Sequence, residues 1–294
     1  MGRSKKFQIF ANTFLMIDVI LCLFPIALLV VSSFTDNATL LTSGYRLIPE
    51  KFSLDAYLYL VKSGTAILKA YGMSFLITGM GVGISLTVTT MLGYSLSRDD
   101  LPGVRVMTFL VFFTMLFNGG LVPTYLMYTG TFHIKDTIWA LLIPNLLVRA
   151  YYVMLMKSYF KTSIPREIEE AAAIDGASQF QIFRRVSLPM SKPIIATVAL
   201  FSMILYWNDW QNGLYYITKR TDLYTIQNLL NRMISEIQYL SSNVSAGQTV
   251  DLSTIPSGTV RMAIAVIGFL PIAIIYPFIQ NNFTKGITIG AVKG

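Results

Sequence analysis

Few side chains in this sequence are equipped for chemistry, and most of those stand inside or beside long apolar runs. Arg149 and Asn145 fall in the apolar stretch 137–160, and Asp18 falls in the stretch 14–34. A guanidinium inside an apolar span is costly and turns inward, where it is paired or wetted. Asp18 is the obvious carboxylate to pair with it; a charge that faces a solute is the other reading. Asn118 sits in Phe117-Asn118-Gly119-Gly120-Leu121-Val122-Pro123, where two glycines and a proline weaken a helix in mid-run. Such a break marks either a solute pathway or a kink filled by neighbouring side chains. Around Asn208, Asp209 and Trp210 the order is Tyr206-Trp207-Asn208-Asp209-Trp210-Gln211-Asn212, rings beside hydrogen-bonding groups. That mixture suits a sugar, whose C–H faces stack on rings while its hydroxyls need polar partners. The same residue types build the aromatic belt at a membrane surface, which is the competing reading.

Other chemistry is poorly served. Cys22 is the single cysteine and lies in an apolar run, which excludes an internal disulfide framework and a thiol metal site. His133 is the single histidine, has no ligand partner nearby in sequence and reads as a loop residue. One His and one Cys give no catalytic constellation. The phosphate-binding pattern GxxxxGK[ST] does not occur, so no nucleotide site is expected in this chain. The sequence predicts a chain that is not an enzyme and binds no cofactor or metal itself.

The elements that hold these residues are membrane spans. Of 294 residues, 54% are hydrophobic and 13% charged, with a mean hydropathy of +0.58. Those values place the chain in the membrane class. The net charge of +8 then reads as loop anchoring at a bilayer, not as a nucleic-acid surface. The pattern predicts an all-α membrane protein with six spans, near 14–34, 70–96, 104–128, 137–160, 194–207 and 259–283. The basic start resembles a signal peptide, but 14–34 is long enough to span and lacks a convincing cleavage site, so it reads as an uncleaved first span. Between the first two spans an external loop carries a short helix around Leu54 to Val61. Glycines 72, 79, 81, 83 and 93 give the second span small faces for close helix approach. The segment 213–258 reads as external, with an amphipathic helix over Leu223–Leu240 lying on the membrane or a partner. Residues 284–294 form a tail too short to fold alone.

One polar stretch, Glu167 to Pro193, separates the fourth and fifth spans. Read locally it is two short helices and a hinge. Pro165 is tolerated in a first turn, and Glu167, Glu169 and Glu170 sit at the positive end of the helix dipole. Ala171, Ala172 and Ala173 continue the helix; Gly176, after Asp175, supplies the left-handed residue that closes it. Ser178 with Gln181 reads as a capping box for the second helix. Phe180 and Phe183 share a face of that helix, and Leu188-Pro189 ends it. On patterning alone this is either a self-solvating connector or a stiff amphipathic knuckle.

The knuckle resembles a known motif. Glu170-Ala171-Ala172, Asp175-Gly176-Ala177, Phe183, Leu188-Pro189 and Pro193 fill every fixed position of the EAA pattern of ABC importer permeases, EAAxxDGAxxxxxFxxxxLPxxxP. Together with Arg98 near Pro102-Gly103, Gly119-Gly120 before Pro123, Ile164-Pro165 and the end Gly290-Ala291-Val292-Lys293-Gly294, the whole chain resembles the smaller permease of maltose-type carbohydrate importers. The likeness is greatest to the polysaccharide and complex-oligosaccharide branch. The resemblance implies the type I ABC importer permease fold in a bacterial cytoplasmic membrane. It implies that residues 163–193 are a coupling segment docking on a cytoplasmic ATPase through Glu170, Ala171, Ala172, Asp175, Gly176, Ala177, Phe180, Phe183, Leu188 and Pro189. It also implies a tail contact with the ATPases through Lys285, Gly290, Val292 and Lys293. The implied partners are a second, homologous permease, two ATPase subunits carrying ATP and Mg, an external or periplasmic sugar-binding protein and a carbohydrate. ATP-driven alternating access is the implied mechanism.

Charge placement gives the orientation. With six spans, both termini and the polar segment fall on the side richer in Lys and Arg, including Arg98, Arg105, Lys157, Lys161, Arg166, Arg184, Arg185 and Lys192. The positive-inside rule makes that side cytoplasmic. The alternatives are an ABC permease for another small solute, such as amino acids, and an ion-coupled secondary transporter. The latter needs intramembrane carboxylates, of which only Asp18 is clearly inside a span.

Overall fold

The computed structural model describes residues 5–62, 64–245 and 257–291; within these, the side chains of 240–245, 257, 276 and 278–291 are not described. The described chain is helical, and its β pairing is the isolated bridge Thr35–Phe52. Three described helices are long and apolar enough to cross a membrane: Lys5–Ser33, Gly64–Ser97 and Gly258–Ile275. Two bent pairs raise the number to five: Val104–Leu116 with Leu121–Thr131, turned by 119°, and Gln179–Met190 with Lys192–Asn208, turned by 79°.

The apolar stretch 137–160 is not one helix. Helix Trp139–Leu142 stops after 4 residues, Asn145 takes a left-handed φ of 59°, and helix Ala150–Ser163 starts afresh with extended Arg149 as its N-cap. Pro144 accounts for part of the break, because proline cannot donate to a preceding carbonyl and its ring clashes with one. The last helix, Ser257–Ala291, runs through residues expected as a tail. Extending an existing helix fixes one residue per bond gained, so a tail too short to fold alone can prolong its parent. The backbones of Lys285 and Gly290 lie on that helix, the Lys285 side chain is not described, and Val292 and Lys293 lie outside the described residues.

Two compact units divide the chain: Met1–Ile67 with Leu230–Pro271, and Leu68–Leu229 with Ile272–Gly294. In the first, helix Lys5–Ser33 exposes almost its whole apolar surface, with Phe10 70% and Met16 67% exposed. A helix hydrophobic all round needs lipid or a partner as its solvent. Its end is tied down locally. Ser33 and Tyr57 share a hydroxyl hydrogen bond of 2.8 Å, and Phe34 stacks on Phe52 and Tyr57. Asp36 caps helix Asn37–Ser43 through the Thr39 N–H, and the Asn37 side-chain oxygen accepts from the Gly258 N–H at 3.1 Å. A short helix, Asp55–Lys62, occupies the loop near the expected position.

The second unit is organised on helix Gly64–Ser97. One face of that helix reads Ser74, Thr78, Gly81, Ser85, Thr89, Gly93 and Ser97, all buried. Small residues at helical spacing let neighbours come close. A Cβ on Gly81 would run into the Tyr206 ring, and one on Gly93 would lie 2.6 Å from Met156 Cβ; Gly72, Gly79 and Gly83 meet nothing. Close approach is therefore made at two of the five glycines, and serine and threonine complete the stripe. Two apolar cores lie along this helix. One gathers Ile77, Leu141, Leu142, Tyr206, Tyr216 and Ile217. The other gathers Tyr94, Tyr152, Met156, Phe160, Phe183 and Val198. Ile77 and Tyr94 are separated by about 25 Å of helix at 1.5 Å per residue.

The amphipathic segment expected over 223–240 is helix Ile226–Ser245. Its apolar stripe is partly spent within the chain, since Ile226, Leu230 and Ile237 are buried.

Candidate functional site: the polar segment and the broken spans

The polar segment folds from its local signals. Helix Arg166–Ile174 takes Pro165 as N-cap, one position earlier than expected, and carries Glu167 and Glu169 in its first turn. It ends in a Schellman motif. The Gly176 N–H donates to the Ala173 carbonyl and the Ala177 N–H to the Ala172 carbonyl, each at 3.0 Å. Gly176 holds φ at 84°, which an L-residue reaches only with strain. Ser178 then caps the next helix with the reciprocal Gln181 box, the Ser178 N–H donating to Gln181 Oε1 at 2.8 Å. Leu188-Pro189 does not end this helix. Residues Phe183–Ser187 widen into a π turn, Leu188–Met190 adds a further turn, and the bend comes at Ser191. A widened turn displaces the carbonyls that a pyrrolidine ring would strike, so Pro189 is accommodated.

The expected contact residues differ in exposure. Glu170, Ala171, Asp175, Gly176 and Phe180 are exposed, and Ala172 and Ala177 are half-buried. Beside them Ile174 is 87% and Phe180 61% exposed, an apolar tip on a charged knuckle. Phe183 is buried and packs at a tilt against Tyr94, with ring centroids 4.9 Å apart. Phe180 and Phe183 share the expected face, their ring centroids 6.4 Å apart, but Phe180 lies at its exposed edge and Phe183 at its buried one. Leu188 and Pro189 line a groove of about 560 Å³ with Leu86, Met91 and Phe180.

A polar cluster pins the knuckle to the end of helix Gly64–Ser97. Lys161 donates to both Asp99 oxygens at 2.9 Å, and Arg166 donates to Asp99 at 2.8 Å. The Lys161 hydrogen bond, with Arg166 beside it, holds the Asp99 carboxyl below its ordinary range. Arg98 grips Asp100 with two N–H groups and reaches Gln179.

The pathway candidates lie at the breaks. Asn118 accepts from the Gly120 N–H at 2.9 Å and so shapes the 119° turn itself. Asn145 borders an open cavity of about 570 Å³ with Leu110, Thr114, Tyr128, Ile143 and Val148. Broken spans are tolerated where side chains replace the lost backbone partners. Here the Tyr206 hydroxyl donates to the Leu142 carbonyl at 2.9 Å, and the Asn212 amide donates to the Pro144 carbonyl at 3.0 Å. Arg149 Nε donates to the Asn145 carbonyl at 3.1 Å. Asp18 belongs to the other unit. Asn208 is exposed and accepts from Gln227, while Asp209 and the Trp210 carbonyl accept from Asn212 and Asn228. Trp207 is buried against Phe75 and Tyr71, so its ring is structural.

The family of binding-protein-dependent transport system inner membrane components matches residues 3–289. The chain belongs to this family. The permease is 35% identical over 298 residues to a polygalacturonan/rhamnogalacturonan transport system permease protein of Bacillus subtilis, covering 99% of this chain and 100% of that one. It is 36% identical to protein LplC of the same organism, over 92% of this chain and 89% of that one. In structure it is similar to a chain of a bacterial ABC transporter involved in the import of the acidic polysaccharide alginate. The TM-score is 0.78 and the identity 27%, over 96% of this chain and 99% of that one. The first and third of these likenesses fall in the polysaccharide and oligosaccharide branch that the sequence motifs suggest.

The permease also has a clamp that sequence reasoning missed. Asp136, itself at a φ of 56°, accepts from the Thr218 and Lys219 N–H groups at 2.7 and 2.8 Å, the Arg220 N–H at 3.3 Å and the Thr218 hydroxyl at 2.9 Å. Desolvation raises its pKa, but the donors together outweigh that and hold the carboxyl well below its ordinary range. Neither loop has a periodic signal that could have announced the pairing.

Proposed function

We propose that this permease is one of two transmembrane subunits of an ATP-driven importer for acidic oligosaccharides. The observation that carries the substrate class is the full-length likeness to a polygalacturonan/rhamnogalacturonan permease, supported by the likeness to an alginate importer chain. The chain crosses the membrane six times with both termini cytoplasmic. Helix Lys5–Ser33, helix Gly64–Ser97, the two broken spans around Asn118 and Asn145, helix Lys192–Asn208 and the last helix supply the crossings. The exposed surface of Lys5–Ser33 is suited to lipid and to a second permease.

Partner ATPases bind and hydrolyse ATP. The knuckle at residues 163–193 is the part they move. Ile174, Phe180, Ala171 and Gly176 form its exposed tip, and Glu170 and Asp175 add negative charge for a basic rim. The Schellman turn and the capping box make the two helices a stiff body, which is what a push requires. ATP-driven closure of the ATPases carries the knuckle with it and turns the bundle outward to receive sugar from a binding protein; hydrolysis resets it. Asn118, Asn145, Arg149, Asn208, Asp209 and Trp210 border the route. The cavity beside Asn145 is within the size range of small-ligand sites.

Co-purification from the native membrane followed by mass spectrometry tests this reading. An ATPase and a second permease should come with the chain. A chain that comes out alone, folded and active in transport contradicts it.

A further inference from the structure

Arg98 stands where helix Gly64–Ser97 meets the knuckle, and one guanidinium there links its own stretch of chain, Tyr94 to Asp100, to both knuckle helices. Its Nε and Nη2 donate to the two Asp100 oxygens at 3.0 and 2.9 Å. Its Nη1 donates to the Tyr94 hydroxyl at 3.2 Å and to Gln179 Oε1 at 2.7 Å. The same nitrogen is 3.9 Å from Glu169 Oε2, and the other Glu169 oxygen accepts from the Ser187 hydroxyl at 2.5 Å. Thus Tyr94 on the span, Glu169 on the first knuckle helix and Gln179 on the second are joined through Arg98. The Arg98 and Glu169 side chains are only 20% and 15% exposed, so this link is better shielded than the Asp99 pairs, whose members are 46–57% exposed.

The chain's own connections are weaker levers. The knuckle meets helix Ala150–Ser163 through extended Ile164 and Pro165, and it meets helix Lys192–Asn208 through the 79° bend. Each joint is a break in the helical backbone and not a continuous helix. We infer that Arg98 is the positioning residue that makes the knuckle and helix Gly64–Ser97 move as one body, so that displacement by a partner enters the bundle through this helix. The tilted Phe183–Tyr94 ring contact is the apolar half of the same joint. The inference rests on the coupling reading above and names its transmission point. Arg is required there because a planar fork can hold Asp100 in two bonds and still reach Gln179; a lysine ammonium cannot do both.

The test uses the complete transporter in proteoliposomes, with oligogalacturonides as the probe, and reads sugar imported per ATP hydrolysed. Arg98→Gln should lower that ratio at least tenfold, and Arg98→Lys should recover part of it. Gln179→Ala, which removes a single exposed partner, should lower it severalfold. The double variant should be no worse than Arg98→Gln alone, because both act through one link. A ratio unchanged in Gln179→Ala, or additive losses in the double variant, overturns the inference. If Arg98→Gln fails to assemble, Gln179→Ala decides it. A parent complex that lacks partner ATPases overturns the coupling reading and the inference together. If the parent hydrolyses ATP but ignores oligogalacturonides, only the substrate class is wrong; the stimulation of ATP hydrolysis by the loaded binding protein, in place of the import ratio, then tests Arg98.

Discussion

The Tyr206 hydroxyl donates to the Leu142 carbonyl at 2.9 Å across 64 residues of sequence, at the point where helix Trp139–Leu142 stops. The same ring fills the space left by the missing side chain of Gly81. One tyrosine thus does two things: it satisfies the backbone of a broken helix and sets the approach of helix Lys192–Asn208 to helix Gly64–Ser97.

Two variants separate these roles. Tyr206→Phe keeps the ring but orphans a buried carbonyl, at a cost of about 1–3 kcal/mol. Gly81→Leu forces the ring aside, and overpacking of this kind costs a similar about 1–3 kcal/mol or more. Thermal unfolding in nanodiscs should show both variants less stable than the parent, with hydrogen exchange raised around Leu142 in Tyr206→Phe.

Gly176 tests the knuckle. It has open space around it within this chain, so a substitution there acts on the fold through backbone strain. Left-handed backbone costs an L-residue roughly 1–2 kcal/mol, and asparagine tolerates it best. Gly176→Val should abolish import while the chain still inserts and assembles, whereas Gly176→Asn should retain most of it. Equal loss in both would point to contact at this position and not to its backbone.

Much of the knuckle was legible in sequence because its signals are local. Asp175-Gly176 and Ser178 with Gln181 act within four residues, and both turns form as read. The broken fourth span was not legible. Hydropathy averages over Pro144 to Arg149 and sees one apolar run, while the groups that make the break tolerable, Tyr206 and Asn212, are 64 and 68 residues away. The pairing of Phe180 with Phe183, by contrast, was legible, because i and i+3 spacing brings the rings together. The spacing could not show that Phe183 is buried against Tyr94 of another helix while Phe180 stays exposed. The Arg98–Gln179 bond spans 81 residues, and no spacing rule reaches that far.

Asp136 predicts a pH dependence. Its folded pKa lies below its unfolded value, so its stabilising contribution is fully present above about pH 4, the ordinary carboxylate range, and is lost as pH falls towards the folded pKa. The stability difference between the parent and Asp136→Asn should therefore be constant near neutrality and shrink as pH falls below about 4. Exchange of the amides at residues 218–220 should be faster in the variant at neutral pH. A difference that grows on acidification would contradict the clamp.

Arg149 bears on substrate charge. Removing it should weaken import of an acidic oligosaccharide more than import of a neutral one of equal length. Arg149→Gln should raise the concentration needed for half-maximal oligogalacturonide uptake severalfold. An equal effect on both sugars would make Arg149 a purely structural partner of Asn145.

The most direct test of the account is uptake itself. The transporter, purified from its native membrane with its partners and placed in proteoliposomes with ATP at the ATPase face, should import labelled oligogalacturonide only when the sugar-binding protein is present. Uptake by this chain alone, without partner ATPases and without ATP, would contradict it.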